Sequence, residues 1–91
     1  MTENERIKIQ IDKVVELVNE KKNHNNHQFL DTLLNKLQKQ LNDLENMDLN
    51  NIKNNPRIKG ALRAYFDTNL AKSYTDPLVL ELDKLEVMLT S

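Results

Sequence analysis

The chain has 91 residues, 38% of them hydrophobic and 30% charged, and its formal net charge is −1. This length predicts one domain spanning residues 1–91, and the near-neutral charge gives no reason to expect a nucleic acid partner. The sequence has no cysteine for disulfides or thiolate chemistry, and its longest apolar runs, such as residues 78–80, are too short for a membrane span or a signal peptide, so we expect a cytoplasmic protein.

The first predicted helix spans residues 3–22. Thr2 and Glu5, three positions apart, match a capping box that starts a helix. Apolar residues then recur at steps of four, three and four, at Ile7, Ile11, Val14 and Val18. The polar residues 23–26 that follow predict a turn.

The second predicted helix, residues 27–47, has the clearest apolar pattern. Its leucines form a heptad-like seam at Leu30, Leu34, Leu37, Leu41 and Leu44. Residues 48–55, which are rich in asparagine, predict a crossover loop.

The third predicted helix, residues 56–72, contains the only glycine of the chain. An asparagine followed by Pro56 is typical of an N-cap with proline at the first helical position. Gly60 and Ala64, one turn apart, would leave a bare patch against which another helix could pack closely. Such packing would offset the roughly 0.5–1 kcal/mol that a glycine costs inside a helix.

A fourth helix is predicted at residues 77–89, where Thr75, Asp76 and Pro77 repeat the cap-then-proline start. Four amphipathic stripes joined by short connections predict an all-α fold, specifically an antiparallel up-and-down four-helix bundle. One glycine and two prolines also supply too few turn residues for an all-β fold. The predicted core includes Leu34, Leu37, Leu41, Leu62, Tyr65, Phe66, Leu82 and Leu85.

No group of residues predicts catalysis or metal binding. His24 and His27 are three positions apart and Asp31 lies four further on, but a zinc site needs three or four converging ligands and no other candidate accompanies them. The carboxylates are spread among cations, and the sequence has neither a glycine-rich phosphate loop nor a serine in a nucleophile context. We therefore predict a protein that is not an enzyme and that has no metal or cofactor.

The distribution of charge is unusual. Residues 56–73 hold four cations against one carboxylate, a balance of +3, and residues 74–91 hold four carboxylates against one cation, a balance of −3. One interpretation is that the last two helices lie side by side and attract each other, at roughly 0–1 kcal/mol per exposed pair. The other is that cations at the start of the third helix, where they oppose the helix dipole, bind an anionic partner or a lipid surface. The candidate binding residues are Lys53, Arg57, Lys59 and Arg63.

The order of residues in the second half of the chain resembles a known family. In sequence order, the residues that carry this resemblance are Asn55, Pro56, Leu62, Tyr65, Leu70, Tyr74, Pro77 and Leu82. This order is similar to the second half of the class II bacteriocin immunity proteins of lactic acid bacteria, of the enterocin A type. The resemblance covers residues 55–89, whereas residues 1–47 match only as two amphipathic helices.

The resemblance implies a cytoplasmic four-helix bundle that protects a bacteriocin producer from its own peptide. The implied partner is the membrane receptor, the sugar-transporting mannose permease, once the bacteriocin has engaged it, with peripheral contact at the inner membrane face. Members of the family commonly continue past the fourth helix into a tail implicated in choosing the bacteriocin. This sequence ends at Ser91, so the resemblance implies no specificity residues here.

Other functions stay open beside immunity. Residues 75–82 resemble the last helix of the small sporulation aspartyl-phosphate phosphatases, but the Ser-Gln-x-x-x-Asp signature of those enzymes is absent, because residues 83–86 read Asp-Lys-Leu-Glu. A phage- or plasmid-type regulator that binds another protein through a helix face is one alternative. A structural homodimeric bundle is the other.

Overall fold

The computed structural model describes residues 1–71 and 75–90 of the chain. These residues form helices and connections without a strand, so the all-α class is confirmed. The radius of gyration is 12.6 Å, close to the value of about 12 Å for a compact chain of this length. There are five helices among the described residues: α1 (Glu3–His24), α2 (Gln28–Asn46), α3 (Leu49–Asn54), α4 (Ala61–Asp67) and α5 (Pro77–Thr90).

The first, second and last helices lie where the sequence predicts them. The Glu5 backbone N–H donates a hydrogen bond of 3.2 Å to Thr2 Oγ1, which confirms the predicted cap of α1. At α5, Pro77 is the first helical residue, and the Leu78 backbone N–H donates a hydrogen bond of 3.0 Å to Asp76 Oδ1. In both cases a side-chain oxygen satisfies an N–H that has no partner within the helix.

The predicted third helix, residues 56–72, is wrong, because a turn and the seven-residue helix α4 occupy this part of the chain. α3 lies inside the predicted crossover loop and ends at Asn54, since the residue before Pro56 avoids the helical conformation. Gly60 precedes α4 with φ +80°, a left-handed conformation that glycine adopts without strain. A Cβ added at Gly60 would meet no atom within 4 Å, so close helix packing is not the reason for the glycine. α4 ends at Asp67, and residues 72–74 lie outside the described part.

The core contains half of the residues predicted for it. Leu37, Tyr65, Leu82 and Leu85 are fully buried. The other four are only partly buried against the core, namely Leu34, Leu41, Leu62 and Phe66. The predicted apolar stripe of α1 is buried at all four positions.

The buried face of α2 includes a glutamine that the leucine seam did not predict. The face runs through Leu30, Leu33, Leu37, Gln40 and Leu44. The observed set and the predicted set both follow steps of three and four along the helix. The polar Gln40 was the only reason to prefer the predicted set. The burial of Gln40, which is 1% exposed, therefore distinguishes the observed orientation of α2 from the predicted one.

Helix α1 packs against both α2 and α5. The Gln10 side chain, itself buried, donates hydrogen bonds from Nε2 to the Glu81 backbone oxygen at 2.9 Å and to Glu81 Oε2 at 2.7 Å. Lys13 Nζ lies 3.2 Å from Glu81 Oε1. Among the described helices, none has the length and apolar character needed to cross a membrane.

Candidate functional site

The four cations predicted to bind a partner lie on residues 53–63, called here the basic segment. Lys53 is in the last turn of α3, Arg57 and Lys59 are in the turn that follows, and Arg63 is in the first turn of α4. Lys53 is half-buried and the other three side chains are exposed. The cations therefore lie on one short stretch of chain, but not on one helix.

Two of the four cations have carboxylate partners. Lys53 forms an ion pair with Glu3, and the Arg57 guanidinium forms one with Asp43. The pair with Asp43 raises the pKa of Arg57 above its usual value. Within residues 1–71 and 75–90, the remaining two cations pair with no carboxylate.

The turn between α3 and α4 is anchored to the core by buried side chains and a hydrogen bond. Pro56 is buried and Ile58 is fully buried, so two alternate side chains anchor the backbone. Gln40 Oε1 accepts a hydrogen bond of 2.7 Å from the Arg57 backbone N–H. The turn therefore presents the side chains of Arg57 and Lys59 to solvent from a fixed backbone. A glutamine among the leucines of α2 was the sequence signal for this support.

The helix-dipole argument for this site is wrong for three of the four cations. Lys53 lies at the C-terminal end of α3, where a positive charge is favourable. Arg57 and Lys59 lie outside any helix. Arg63 alone of the four is near a helix N-terminus, and α4 has only seven residues. Two observations still support a binding role. Three of the four cations are exposed, and two of them have no carboxylate partner among the described residues.

The carboxylates of α5 contact α1 and α4 rather than the cations of the basic segment. Glu81 pairs with Lys13 of α1, and Glu86 Oε1 accepts a hydrogen bond of 3.5 Å from the Leu62 backbone N–H. Among the described residues, no ion pair joins the basic segment to α5. Direct ion pairs with α5 therefore do not account for these four cations; Lys72, which also belongs to the predicted positive balance, lies outside the described residues.

A polar network that the sequence did not predict joins α1, α4 and α5. Lys21 Nζ lies 2.6 Å from Asp76 Oδ2, and the Tyr65 hydroxyl donates a hydrogen bond of 3.1 Å to the same oxygen. Lys21 Nζ also lies 5.8 Å from the centre of the Tyr65 ring, and the Phe29 ring stacks on that ring with centroids 6.0 Å apart. The sequence indicated a polar contact only for Asp76, as the residue before Pro77. Its partners Lys21 and Tyr65 lie 55 and 11 residues away, so a local sequence pattern could not show these contacts.

The network shifts the pKa of each titratable member. Burial favours neutral Asp76, but hydrogen bonds from Lys21, the Leu78 backbone and Tyr65 outweigh it and lower the pKa of Asp76 below 3.8. Burial likewise opposes the charged form of Lys21, yet its contacts with Asp76 and Tyr65 raise its pKa. Burial raises the pKa of Tyr65, although the Lys21 ammonium opposes the increase. At neutral pH the network therefore consists of an ammonium, a carboxylate and a phenol.

A small cavity of about 150 Å³ borders this network, between α1 and the start of α5. Its lining includes Leu17, His24 and Leu78. The described residues contain no group of three or more His, Cys, Asp or Glu that could hold a metal ion.

The residues of the metal site that was considered from the sequence have separate contacts. His27 Nδ1 accepts a hydrogen bond of 3.0 Å from the Phe29 backbone N–H and so caps α2. Asp31 forms an ion pair with Lys22.

Comparison of the chain with models of protein families, with curated proteins and with solved structures finds no match.

Proposed function

We propose that the chain is a non-enzymatic binding protein that confers immunity to a class IIa, pediocin-like bacteriocin from inside the cell. The observation that carries this proposal is the order of residues 55–82, which resembles the enterocin A type of immunity protein. Of the positions in that order, Pro56, Tyr65, Leu70 and Leu82 are buried. The order therefore supports a shared way of packing, and the binding role rests on the exposed cations nearby.

The proposed architecture is the antiparallel up-and-down four-helix bundle of that family. In this arrangement α3 and α4 together take the place of the third helix. Two contacts between α1 and α5 support it. Lys21, near the end of α1, meets Asp76 at the start of α5, whereas Gln10, nearer the start of α1, meets Glu81 further along α5.

The proposed mechanism is that the basic segment binds the permease–bacteriocin complex at the inner membrane face and blocks the pore. Lys59 and Arg63 are exposed and pair with no carboxylate of the described residues, so an anionic partner would displace no ion pair there. The pair between Arg57 and Asp43 is exposed on its Arg57 side, where solvent screens it, so exchange of Asp43 for another anion costs little. Attraction of a basic residue to an anionic lipid surface contributes about 1 kcal/mol.

The experiment compares three versions of the chain at equal expression in a sensitive host that is challenged with class IIa peptides. The parent should protect, and the triple variant Arg57→Gln, Lys59→Gln, Arg63→Gln should not, while its circular dichroism spectrum stays helical. A matched control replaces three exposed cations elsewhere with glutamine and should still protect: Arg6→Gln, Lys36→Gln and Lys39→Gln.

Two results would overturn parts of this proposal separately. If the parent fails against every class IIa peptide tested, the immunity function is wrong. If both triple variants protect like the parent, the immunity function stands and the basic segment is not its binding surface. A separate measurement, binding of the parent to vesicles with and without anionic lipid, distinguishes contact with the bilayer from contact with the receptor complex.

A further inference from the structure

The outward face of α5 exposes two large apolar side chains to solvent. The exposed residues of this helix are Pro77, Leu80, Asp83, Lys84, Val87 and Thr90. Leu80 and Val87 are each 55% exposed, and their spacing of seven places both on one face. We refer to these six residues as the α5 outer face.

The other long helices do not share this feature. α2 is described throughout, and its exposed residues include no apolar side chain. α1 exposes one, Ile9. In α5 the opposite side already forms the core through Leu78, Leu82, Leu85 and Leu89. Leu80 and Val87 therefore add apolar surface on the solvent side of α5, and a partner that packs there would remove it from water.

The two charges on this face are adjacent in sequence, opposite in sign and placed on either side of the line from Leu80 to Val87. Successive residues of a helix are turned by about 100°, so Asp83 flanks that line on one side and Lys84 flanks it on the other. When two copies of such a helix run parallel about a two-fold axis, the left flank of one copy faces the right flank of the other. Asp83 of each copy then faces Lys84 of the partner subunit. In an antiparallel pair, equal flanks meet, so that Asp83 faces Asp83 and Lys84 faces Lys84.

We propose that the α5 outer face binds a second copy of this chain, with the two α5 helices parallel about a two-fold axis. Leu80 packs against its counterpart, Val87 packs against its counterpart, and two Asp83–Lys84 ion pairs lie between these layers. Beside Lys84 the face continues into an open groove with Met1, Ile9 and Met88 in its lining, which adds apolar area on the α1 side. This proposal does not depend on the immunity function.

A second copy fits this face better than a lipid surface does. The two charges cancel, and a carboxylate at the centre of the face is repelled by anionic headgroups. The helix has 14 residues and is therefore about 21 Å long, so the contact falls below the roughly 1,200–2,000 Å² of a standard interface. We therefore expect a weak dimer that dissociates in the micromolar range.

Charge exchange at positions 83 and 84 tests both the partner and the orientation. Asp83→Lys and Lys84→Asp should each weaken self-association, measured by sedimentation equilibrium, by about tenfold or more, because like charges then face each other. The double variant Asp83→Lys, Lys84→Asp should restore it, and an equimolar mixture of the two single variants should form heterodimers. Lys36→Asp on the exposed side of α2 is the matched control and should leave self-association unchanged.

Cysteine cross-linking gives an independent measurement, because the chain has no cysteine of its own. Under mild oxidation Leu80→Cys should form a disulfide-linked dimer, and Gln38→Cys on α2 should not. A parent that stays monomeric up to about 1 mM, well above the micromolar range expected for an interface of this size, would overturn the proposal. It would also be overturned by a dimer that responds equally to Lys36→Asp and Lys84→Asp. Binding of a monomeric parent to vesicles, lost on Leu80→Gln, would assign the face to lipid instead.

Discussion

Replacement of Asp76 by alanine should destabilise the fold more than any change to an exposed carboxylate. Its side chain is 9% exposed and caps α5, and loss of an N-cap costs about 0.5–2 kcal/mol. The Tyr65 hydroxyl, in a fully buried residue, would lose its acceptor, which costs about 1–3 kcal/mol. Lys21 is 23% exposed and can be hydrated, so its loss of a partner adds roughly 0–1 kcal/mol. We therefore expect a loss of about 1.5–6 kcal/mol from a total of roughly 5–15 kcal/mol.

Thermal unfolding at low protein concentration, followed by circular dichroism, measures this loss. A domain of this size loses about 4–8 °C of melting temperature per kcal/mol, so Asp76→Ala should melt at least about 6 °C below the parent. Asp76→Asn keeps a side-chain oxygen for the cap and should lose less. Asp12→Ala, at an exposed carboxylate of α1, is the control and should change the free energy of unfolding by no more than about 0.5 kcal/mol. If Asp76→Ala melts like this control, the network does not stabilise the fold.

Three further predictions follow from burial, backbone conformation and pKa. Leu37→Ala should cost about 2–5 kcal/mol in chemical unfolding and Leu34→Ala clearly less, because only Leu37 is fully buried; equal costs would contradict the orientation of α2. Gly60→Ala should cost about 1–2 kcal/mol through its positive φ alone, since a Cβ there meets no neighbour, and Gly60→Asn should cost less; a neutral Gly60→Ala would show that the turn differs. Because its folded-state pKa is lowered, Asp76 contributes stability above about pH 4 that is lost as the pH falls further. A fall from pH 5 to pH 3 should therefore lower the free energy of unfolding, measured with urea, more in the parent than in Asp76→Asn. Parallel pH profiles of the two proteins would contradict the shift.

The sequence predicted the long helices and failed on the short ones, for a physical reason. α1, α2 and α5 each repeat an apolar stripe over several turns, and all three carry caps formed by residues close in sequence. α3 and α4 have six and seven residues, too few for periodicity to show where one ends and the next begins. The sequence predicts a helix start at Pro56 and a packing site at Gly60. In the structure Pro56 lies outside any helix, and Gly60 precedes α4 with a positive φ.

The sequence was sufficient to select the cations of the candidate site, but it could not predict which residues surround them. Clustering in sequence identified the cations, whereas their partners Glu3 and Asp43 lie 50 and 14 residues away. The same limit applies to Lys21, whose contacts with Tyr65 and Asp76 arise only when three helices pack together. Interactions between distant residues depend on helix orientation, and the observed face of α2 includes a glutamine that an apolar pattern could not predict.

Four of the residues that carry the family resemblance are buried, which affects where function has to be sought. Substitution of Tyr65 or Leu82, both fully buried, alters packing, so loss of activity in such variants would not separate binding from folding. The basic segment and the α5 outer face are exposed, and substitutions there can remove an interaction while the core is kept. Because they have different chemistry, one cationic and one apolar, their partners respond differently to conditions. Raised salt should weaken binding at the basic segment, whereas packing of Leu80 and Val87 should be retained.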